Sequence, residues 1–326
     1  MSSSAVKPLR LGRSDFSALR LRNCIYVDKT DLLCALCEND DKVLLVRPRR
    51  FGKSLLVSLF RYGLREFQGL KIEKTWTDCT YNVVRLDFSL AKDFSSLEQF
   101  LAQFNGMLAD AVAEAGLVIE SAPGDHVGSF QMLLSRQPQS SLVLLIDEYD
   151  APLTAHLDNR ELFEAVQQQL SRFYAAVKSR EGCLRFFFMT GISKFANTSI
   201  FSSFNNLLDI SLNPLYGTIL GYTEEEILEH FEPYLEKAQE ELHLSRQECL
   251  CALREHYDGF SLDVRAQSRV YCPWSVLNLF KFPSLGFQNY WYASGGRPTV
   301  LMKYLTGHSL EEPLAYGAQK TVQLSE

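Results

Sequence analysis

The stretch 42-KVLLVRPRRFGKSLL-56 decides the fold of this chain. It contains a short β run at 42–46, a basic loop with one glycine, and the start of an apolar-periodic helix at Lys53. A strand, a loop and a helix in this order fit the pattern GxxxxGK[ST], in which backbone N–H groups hold phosphates at a helix N-terminus. Arg47 replaces the first glycine of the pattern, and Pro48 biases it toward an extended conformation. We therefore expect the loop to depart from the standard shape more than from the standard chemistry.

The loop residues have different predicted roles. Gly52 lets the backbone approach a phosphate, Lys53 would reach the β and γ phosphates, and Ser54 would ligate Mg²⁺. Arg49 and Arg50 could contact phosphate oxygens or a partner's charge, or they could simply be solvated. A basic turn before a helix, with no ligand, is the alternative for the whole loop. The predicted nucleotide-binding residues of the loop are Arg49, Arg50, Phe51, Gly52, Lys53 and Ser54.

A second motif, 142-LVLLIDEYD-150, is an apolar strand that ends in acids. Asp147 is predicted to hold Mg²⁺ through its coordination shell, and Glu148 to polarise the attacking water as a general base. Side chains alternate along a strand, so the two acids should not share one role. A solvated turn is the alternative. Thr190, at the end of a later strand, could sense the γ phosphate or could have no ligand role.

Strands and helices alternate between about residues 42 and 212. The predicted strands are 42–46, 83–88, 141–146 and 184–190, with a possible fifth at 207–212. The predicted helices between them are 53–67, 95–115, 126–135 and 161–178. This alternation predicts an α/β fold with a parallel sheet and helices on both faces. Ligands of such sheets bind beyond the carboxyl ends of the strands, where both motifs lie.

The domain organisation is predicted from changes in composition. Residues 1–23 show no clear element and are interpreted as an N-terminal extension. Residues 24–218 form the predicted P-loop domain, and residues 219–326 a smaller, mainly helical domain. Within the latter, Thr223 caps a strongly acidic helix, 257–271 looks loop-rich, and the aromatic stretch 271–292 is predicted to pack the domain.

Composition excludes several function classes. The 326 residues carry a net charge of -6, with 46% hydrophobic and 22% charged residues, which is ordinary for a soluble globular protein and argues against holding DNA by bulk charge. No apolar run is long enough for a transmembrane helix, and the start lacks the apolar core of a secretory signal. The lack of a transmembrane run predicts no membrane association. The eight cysteines show no disulfide framework, so we predict that the protein resides in reducing cytoplasm. The pairs Cys34/Cys37 and Cys249/Cys251 are interpreted as packing residues.

An ordered set of motifs resembles the AAA-ATPase-like family of bacterial P-loop NTPases. The motifs are RPRRFGKS at 47–54, YVDKT at 26–30, LIDEYDAPL at 145–153, TGISKFANTSIFSSFNNL at 190–207 and LGYTEEEI at 220–227. HYDGFSLD, VYCPWSVLNLF and NYWYASGG extend the resemblance over about residues 16–306. It implies that Lys53 and Ser54 are nucleotide and Mg²⁺ residues, that Asp147 and Glu148 are the acidic pair, and that Arg47 follows the family norm.

Many relatives continue into a PD-(D/E)xK nuclease-like domain. The end of this chain, PLAYGAQKTVQLSE, shows no strand with the paired acid and lysine of such a nuclease. We therefore do not expect nuclease activity from this chain.

Three functions compete on this sequence. The first is an ATP-binding, Mg²⁺-dependent ATPase that couples hydrolysis to a conformational change in the C-terminal region. The second is a nucleotide-dependent switch or binding module with little turnover. Glu148 favours turnover, whereas the lack of an identifiable arginine finger favours slow turnover. The third, a degenerate nucleic-acid-binding scaffold, disagrees with the acidic charge and the intact Lys53–Ser54 pair. The predicted cofactors are ATP and Mg²⁺; the sequence does not name the protein or nucleic-acid client or the oligomeric state.

Overall fold

A five-stranded parallel sheet forms the centre of the molecule in the computed structural model, which describes residues 6–39, 42–60, 66–76, 80–118, 125–195 and 206–296. The sheet order is β2-β3-β4-β1-β5, and every neighbouring pair is parallel. The parallel sheet predicted from the sequence is confirmed, although its fifth strand has only two residues. The strands are β1 Lys42–Val46, β2 Asn82–Asp87, β3 Leu142–Asp147, β4 Leu184–Gly191 and β5 Leu208–Asp209.

The strand register brings four carboxyl ends into line. Leu45 of β1 lies beside Thr190 of β4, and Asp87 of β2 lies beside Asp147 of β3. Strand β4 separates β1, which leads into the loop at 47–52, from β3, which carries the acids. The loop and the acids are therefore on one edge of the sheet although a strand lies between them.

Helices cover both faces of the sheet. The predicted helices over 95–115, 126–135 and 161–178 are confirmed within two residues, and the helix that starts at Lys53 is described as far as Leu59, with 61–65 outside the described residues. Ser96, Asp125 and Asn159 cap three of them by accepting a backbone hydrogen bond. The helices are α1 Phe16–Leu21, α2 Thr30–Asn39, α3 Lys53–Leu59, α4 Leu97–Glu114, α5 His126–Ser135, α6 Ala151–Thr154 and α7 Arg160–Lys178.

Residues 1–23 were predicted to carry no clear element, and for the described part of this segment that prediction is wrong. Helix α1 begins after Asp15, whose carboxylate accepts the amide of Ala18. Phe16 is fully buried against the helical layer that contains α3. A helix of six residues is too short to show a period of 3.6 residues in the sequence.

The sheet separates two apolar cores. In β3, Leu144 and Ile146 enter the core with α4, α5 and α7, while Val143 and Leu145 enter the core with α2 and α3. This alternation explains why the strand is apolar at every position from Leu142 to Ile146, because both of its faces are covered. A fully buried strand can carry a carboxylate only at its end.

The described part of the C-terminal region, up to residue 296, packs four α-helices and a hairpin beside the sheet. Its first helix is capped by a capping box of Thr223 and Glu226, as the acidic motif predicts. The stretch predicted to be loop-rich contains an antiparallel strand pair, which is a correction: strands of four and three residues are too short to show alternation. The elements are α8 Glu224–His230, α9 Glu232–Leu242, α10 Arg246–Tyr257, β6 Asp258–Ser261, β7 Arg269–Tyr271 and α11 Pro273–Lys281.

A third apolar core connects the two ends of the described chain. Leu9 and Val27 pack in the same cluster as Phe231, Leu253 and Phe280 of the C-terminal helices. The N-terminal segment is thus a bridge to the C-terminal region, while the division of the chain at about residue 218 stays a prediction. Among the described residues, no helix has the length and apolar character needed to cross a membrane.

Candidate functional site

The loop between β1 and α3 turns through two left-handed residues. Arg50 has φ +68°, and Gly52, the N-cap of α3, has φ +95°. A side chain at residue 52 would be strained by this φ, although the nearest atom to an added Cβ is 3.8 Å away in Leu220. The glycine is therefore needed for its backbone conformation more than for space.

Lys53 is buried at the first position of α3. Its ammonium donates to the carbonyl oxygens of Arg47 at 2.9 Å and Pro48 at 3.0 Å, so the loop closes around it. Burial lowers the pKa of Lys53 to about 8, while Asp150 and Asp147 oppose that shift. The lysine is held by neutral carbonyl groups, which an anionic ligand can replace.

Arg47 explains why the loop starts differently from the standard pattern. Its side chain is buried, and its guanidinium donates to the carbonyl oxygens of Ser211, of Tyr216 at 2.9 Å and of Val46 at 3.1 Å. Burial lowers its pKa to about 10, so it stays charged at neutral pH. Arg47 therefore anchors the start of the loop to the segment that follows β5.

Asp147 is the buried last residue of β3. Its side chain is 1% exposed and has a salt-bridge contact of 3.4 Å with Arg85. Burial raises the pKa of Asp147, and the nearby Ser54 hydroxyl opposes the rise. Its Oδ1 atom has no hydrogen-bond partner among the described residues, which is costly for a buried carboxylate. Ser54 and Asp147, predicted to share a metal ion, are therefore neighbours.

Glu148 occupies different surroundings from Asp147. Its φ of +51° is unusual for a residue with a side chain, and its half-buried carboxyl lines a cavity that Asp147 does not reach. Burial, followed by the charge of Asp147, raises the pKa of Glu148. The two acids have different surroundings because β3 ends at Asp147 and the backbone turns at Glu148, and their catalytic and metal roles stay predictions.

Thr190 lies near the carboxyl end of β4. It is fully buried, and its hydroxyl donates to the carbonyl oxygen of Leu45 at 2.6 Å. A contact with a γ phosphate would require this hydrogen bond to break, so the geometry gives no support to that role, which stays a prediction.

Asp150 organises the turn that follows Thr190. Its buried carboxylate accepts the amides of Ile192 and Ser193, the latter at 2.7 Å. A Cβ on Gly191 would lie 2.4 Å from this carboxylate, so only glycine fits there. Of the motif at 190–207, residues 196–205 lie outside the described part of the chain.

The loop arginines contact the C-terminal end of the described chain. Arg49 donates to the carbonyl of Gly295 and Arg50 to that of Ser294, both at 3.1 Å. The Arg50 guanidinium also lies 4.5 Å from the ring centroid of Trp274, a cation–π distance. Both side chains belong to exposed residues and hold neutral carbonyls, so they remain available to an anion.

Two aromatic residues complete this contact. The indole N–H of Trp291 donates to the carbonyl of Arg49 at 2.9 Å. Phe51 is buried and packs edge-to-face on Phe260 of the hairpin at 4.8 Å. The loop is therefore fixed from the C-terminal side by a hairpin residue and by the turn Tyr292–Gly296.

A cavity of about 550 Å³ joins the loop to Glu148. Its wall includes apolar residues such as Leu33, Leu220 and Leu277 next to the loop. Glu148 is the sole carboxylate among the described residues of the wall. The cationic side chains of the wall are Arg10, Arg13, Lys29, Arg49, Arg50, Lys53 and Lys92. Seven cations against one carboxylate, in a chain of net charge -6, indicate a site for an anion with an apolar part.

Comparison with known sequences identifies the family of this chain. Residues 10–201 match the family described as Predicted AAA-ATPase, which covers more than half of the chain. The chain belongs to the AAA-ATPase-like family. This confirms the resemblance seen in the motifs, and the name of the family indicates ATP binding.

A curated relative of this family member has no described function. It is the "Uncharacterized protein in vnfD 5'region" of Azotobacter chroococcum mcd 1, which is 32% identical over 312 residues. The alignment covers 92% of the present chain and 56% of that protein. The chain thus spans little more than half of the relative's length.

The family's YVDKT motif contains a site residue that the sequence analysis missed. Lys29 lies on the cavity wall and pairs with Glu226 at 2.9 Å, while both side chains are largely buried. Burial lowers the pKa of Lys29, and Glu226 opposes that shift. A single lysine carries no local signal of a ligand role, but its place in a quoted motif could have identified it.

Proposed function

We propose that this chain binds ATP with Mg²⁺ and hydrolyses it. One observation supports this most strongly: Lys53 and Ser54 at the start of a helix lie next to Asp147, and Lys53 shares one cation-rich cavity with Glu148. A triphosphate in this cavity would place its charge at the helix N-terminus and against the loop cations. The apolar part of the wall suits a nucleoside.

The residues present suit a magnesium ion. Ser54 offers a hydroxyl, and Asp147 has a buried carboxylate oxygen without a partner. Mg²⁺ is usually held by one or two protein oxygens together with substrate phosphates and water. In this proposal Ser54 and Asp147 hold the ion, which would neutralise charge on the phosphates.

Glu148 is the proposed general base. Glu148 lines the cavity, whereas Asp147 is buried at the end of β3 and does not line it. A raised pKa makes a carboxylate a better proton acceptor, provided that the carboxyl is ionised at the working pH. The backbone turn at Glu148 supports this role because left-handed residues are concentrated at functional sites.

The coupled conformational change is proposed to begin at Arg49 and Arg50. Both arginines now bind carbonyls of the C-terminal turn, and phosphate oxygens are stronger acceptors for guanidinium. ATP binding would draw the arginines toward the phosphates and loosen the turn. The client that would receive this change is a protein or nucleic acid of unknown identity.

The second candidate is a nucleotide switch with little turnover. It is favoured by one observation: the two arginines of the loop are bound to the C-terminal turn, and neither is bonded to Glu148. An arginine finger can contribute a factor of about 10³–10⁵ to the rate of such a reaction. A site whose arginines contact another segment of the chain suits a slow nucleotide switch as well as an ATPase.

Nucleotide binding and single-turnover hydrolysis distinguish the two candidates. ATP affinity is measured with and without Mg²⁺, and hydrolysis is then followed with protein in excess over ATP. An ATPase hydrolyses bound ATP in a reaction that needs Mg²⁺ and Glu148. Tight binding without measurable hydrolysis supports the switch, and no binding contradicts both. Candidate DNA, RNA or protein partners are added in a second series, because a partner can supply the missing arginine.

A further inference from the structure

A third carboxylate lies next to the proposed metal residue. Asp87 ends β2 and stands directly beside Asp147 in the register of the two strands. Its Oδ1 accepts both the amide of Ser89 at 3.1 Å and the hydroxyl of Ser89 at 2.6 Å. One oxygen of Asp87 is therefore anchored, while the side chain remains 30% exposed at the sheet edge.

Arg85 bridges the two carboxylates without forming a strong bond to either. Its Nη2 atom lies 3.4 Å from Oδ2 of Asp87 and 3.4 Å from Oδ2 of Asp147. Guanidinium–carboxylate bonds of good geometry measure about 2.7–2.9 Å. Its Nε atom is buried without a partner in the described part of the chain. Arg85 thus balances charge at this edge while its hydrogen bonds are poorly satisfied.

The unpartnered Oδ1 atom of Asp147 is the group that a cation would bind. A buried carboxylate oxygen without a donor is costly, and a divalent cation or a water bound to it would satisfy it. Within the described residues, no group of three or more His, Cys, Asp or Glu side chains is arranged to hold a metal ion by itself. A cation here would keep waters and ligand phosphates, and those waters need acceptors outside the first ligands.

We propose that Asp87 and Arg85 are positioning residues of the metal site. The Asp87 carboxylate would accept hydrogen bonds from the waters bound to the cation. Arg85 would balance the negative charges of Asp87 and Asp147 when no cation is bound. This inference rests on the proposed function for the location of the cation. The Oδ2 atoms of both acids face one guanidinium, so both lie within reach of a single central charge. A divalent cation makes Arg85 redundant as a counter-ion and repels it. Asp87 then remains to orient the waters.

The first test measures the affinity of the nucleotide-free protein for Mn²⁺ by electron paramagnetic resonance. Mn²⁺ serves as a spectroscopic substitute for Mg²⁺. Asp87→Asn keeps an oxygen for the Ser89 amide and removes the charge. We expect it to weaken Mn²⁺ affinity by about 10-fold or more, as loss of an outer acceptor usually does. Asp93→Asn is the matched control, because it removes an exposed charge six residues further along and should leave the affinity unchanged. Equal affinities for Asp87→Asn, Asp93→Asn and the parent would overturn the proposal.

The second test uses the opposite sign expected for Arg85. Arg85→Gln removes the competing cation and should tighten Mn²⁺ binding by about threefold or more, whereas Arg85→Lys keeps the charge and should stay near the parent. A merely structural role would weaken Mn²⁺ binding in both the Asp87 and the Arg85 variants, so changes of the same sign contradict the inference. Melting temperatures confirm that each variant is folded.

A separate measurement keeps the two hypotheses apart. ATP affinity without metal should be the same in the parent and in Asp87→Asn, because Asp87 does not line the cavity. Failure of the parent to bind ATP would refute the proposed function, while opposite Mn²⁺ shifts in the two variants would still support the positioning pair. If the parent binds ATP but neither variant changes Mn²⁺ affinity, the positioning role of Asp87 and Arg85 is refuted and the proposed function is not.

Discussion

At the scale of single residues, Lys53 links burial to ligand binding. Its side chain is enclosed by the loop, and burial brings its pKa to about 8 in the free protein. A phosphate favours the charged form of the lysine. Binding of ATP should therefore require Lys53 to be protonated, and above the free-state pKa the protein must take up a proton when it binds.

This requirement predicts how ATP affinity depends on pH. Raising the pH from about 7.5 to about 9 should weaken ATP binding by about eightfold, since the fraction of protonated Lys53 falls above a pKa of about 8. Calorimetry in two buffers of different ionisation enthalpy would detect the proton uptake. In Lys53→Arg the cation stays protonated over this range, so any remaining affinity should not change in this way. A flat profile for the parent would contradict the assigned role of Lys53.

Glu148 and Asp147 should respond differently to loss of charge. Glu148→Gln keeps the shape of the side chain but cannot accept a proton, so we expect near-normal Mg²⁺–ATP binding and a turnover reduced by about 10²–10⁴-fold. Asp147→Asn should instead weaken the dependence of binding on Mg²⁺. Single-turnover rates and binding curves on both variants would show the difference. Hydrolysis at the parent rate by Glu148→Gln would mean that another group is the base or that the chain is a switch.

Arg47 is expected to matter for stability rather than for chemistry. Arg47→Lys keeps the charge but cannot reach the carbonyls of Ser211 and Tyr216 together, so we expect a loss of about 2–4 kcal/mol in the free energy of unfolding. Denaturant unfolding would measure it. Arg160→Lys, on an exposed helix surface, is the control and should change stability by less than about 0.5 kcal/mol. Equal stability of the two variants would contradict the anchoring role.

The site residues divide by whether local sequence reveals them. Asp147 ends a strand, and Lys53, Ser54 and Glu148 follow strands. A strand pattern and the rule for carboxyl ends of parallel strands were therefore enough to predict that they lie at one edge. Asp87 also ends a strand, but a single acid at a strand end has no distinguishing pattern. Its importance depends on β2 being next to β3, and the order of strands in a sheet cannot be read from any local period.

At the scale of elements, short segments were the hardest to predict. The helices α4, α5 and α7 were predicted closely because their apolar periods extend over enough residues, and the short strand β1 because an apolar run stands directly before the basic loop. Helix α1 was missed because it has only six residues, and the hairpin because its strands have four and three residues. Both missed elements place residues against the loop or the cavity, so their omission hid part of the site.

The turn Tyr292–Gly296 is the element expected to respond to nucleotide. Its carbonyls bind Arg49 and Arg50, and Trp291 binds the loop backbone. Amide hydrogen exchange over residues 289–296 should speed up when ATP and Mg²⁺ are added, because the arginines move to the phosphates. In the double variant Arg49→Gln, Arg50→Gln, exchange should already be fast without nucleotide and should change little on its addition. Slower exchange in the parent on ATP binding would contradict the proposed coupling.

At the scale of the whole molecule, the two ends of the described chain meet at one cavity. Arg10 and Arg13 come from the N-terminal segment, Lys53 from the loop, and Trp274 and Ser294 from the C-terminal region. The sequence analysis assigned these residues to three separate regions. Tertiary packing through the third core, which contains Leu9 and Val27, brings them together, and no local pattern could have shown this.

Calorimetric titration of the purified chain with ATP in the presence of Mg²⁺ tests the central claim most directly. The account predicts saturable binding of one ATP per chain, and an affinity at least about 100-fold weaker in Lys53→Ala, because a charge-assisted contact with the phosphates is lost. The melting temperature of the variant without nucleotide must show that it is folded. No saturable binding by the parent, or an unchanged affinity in folded Lys53→Ala, would contradict the account.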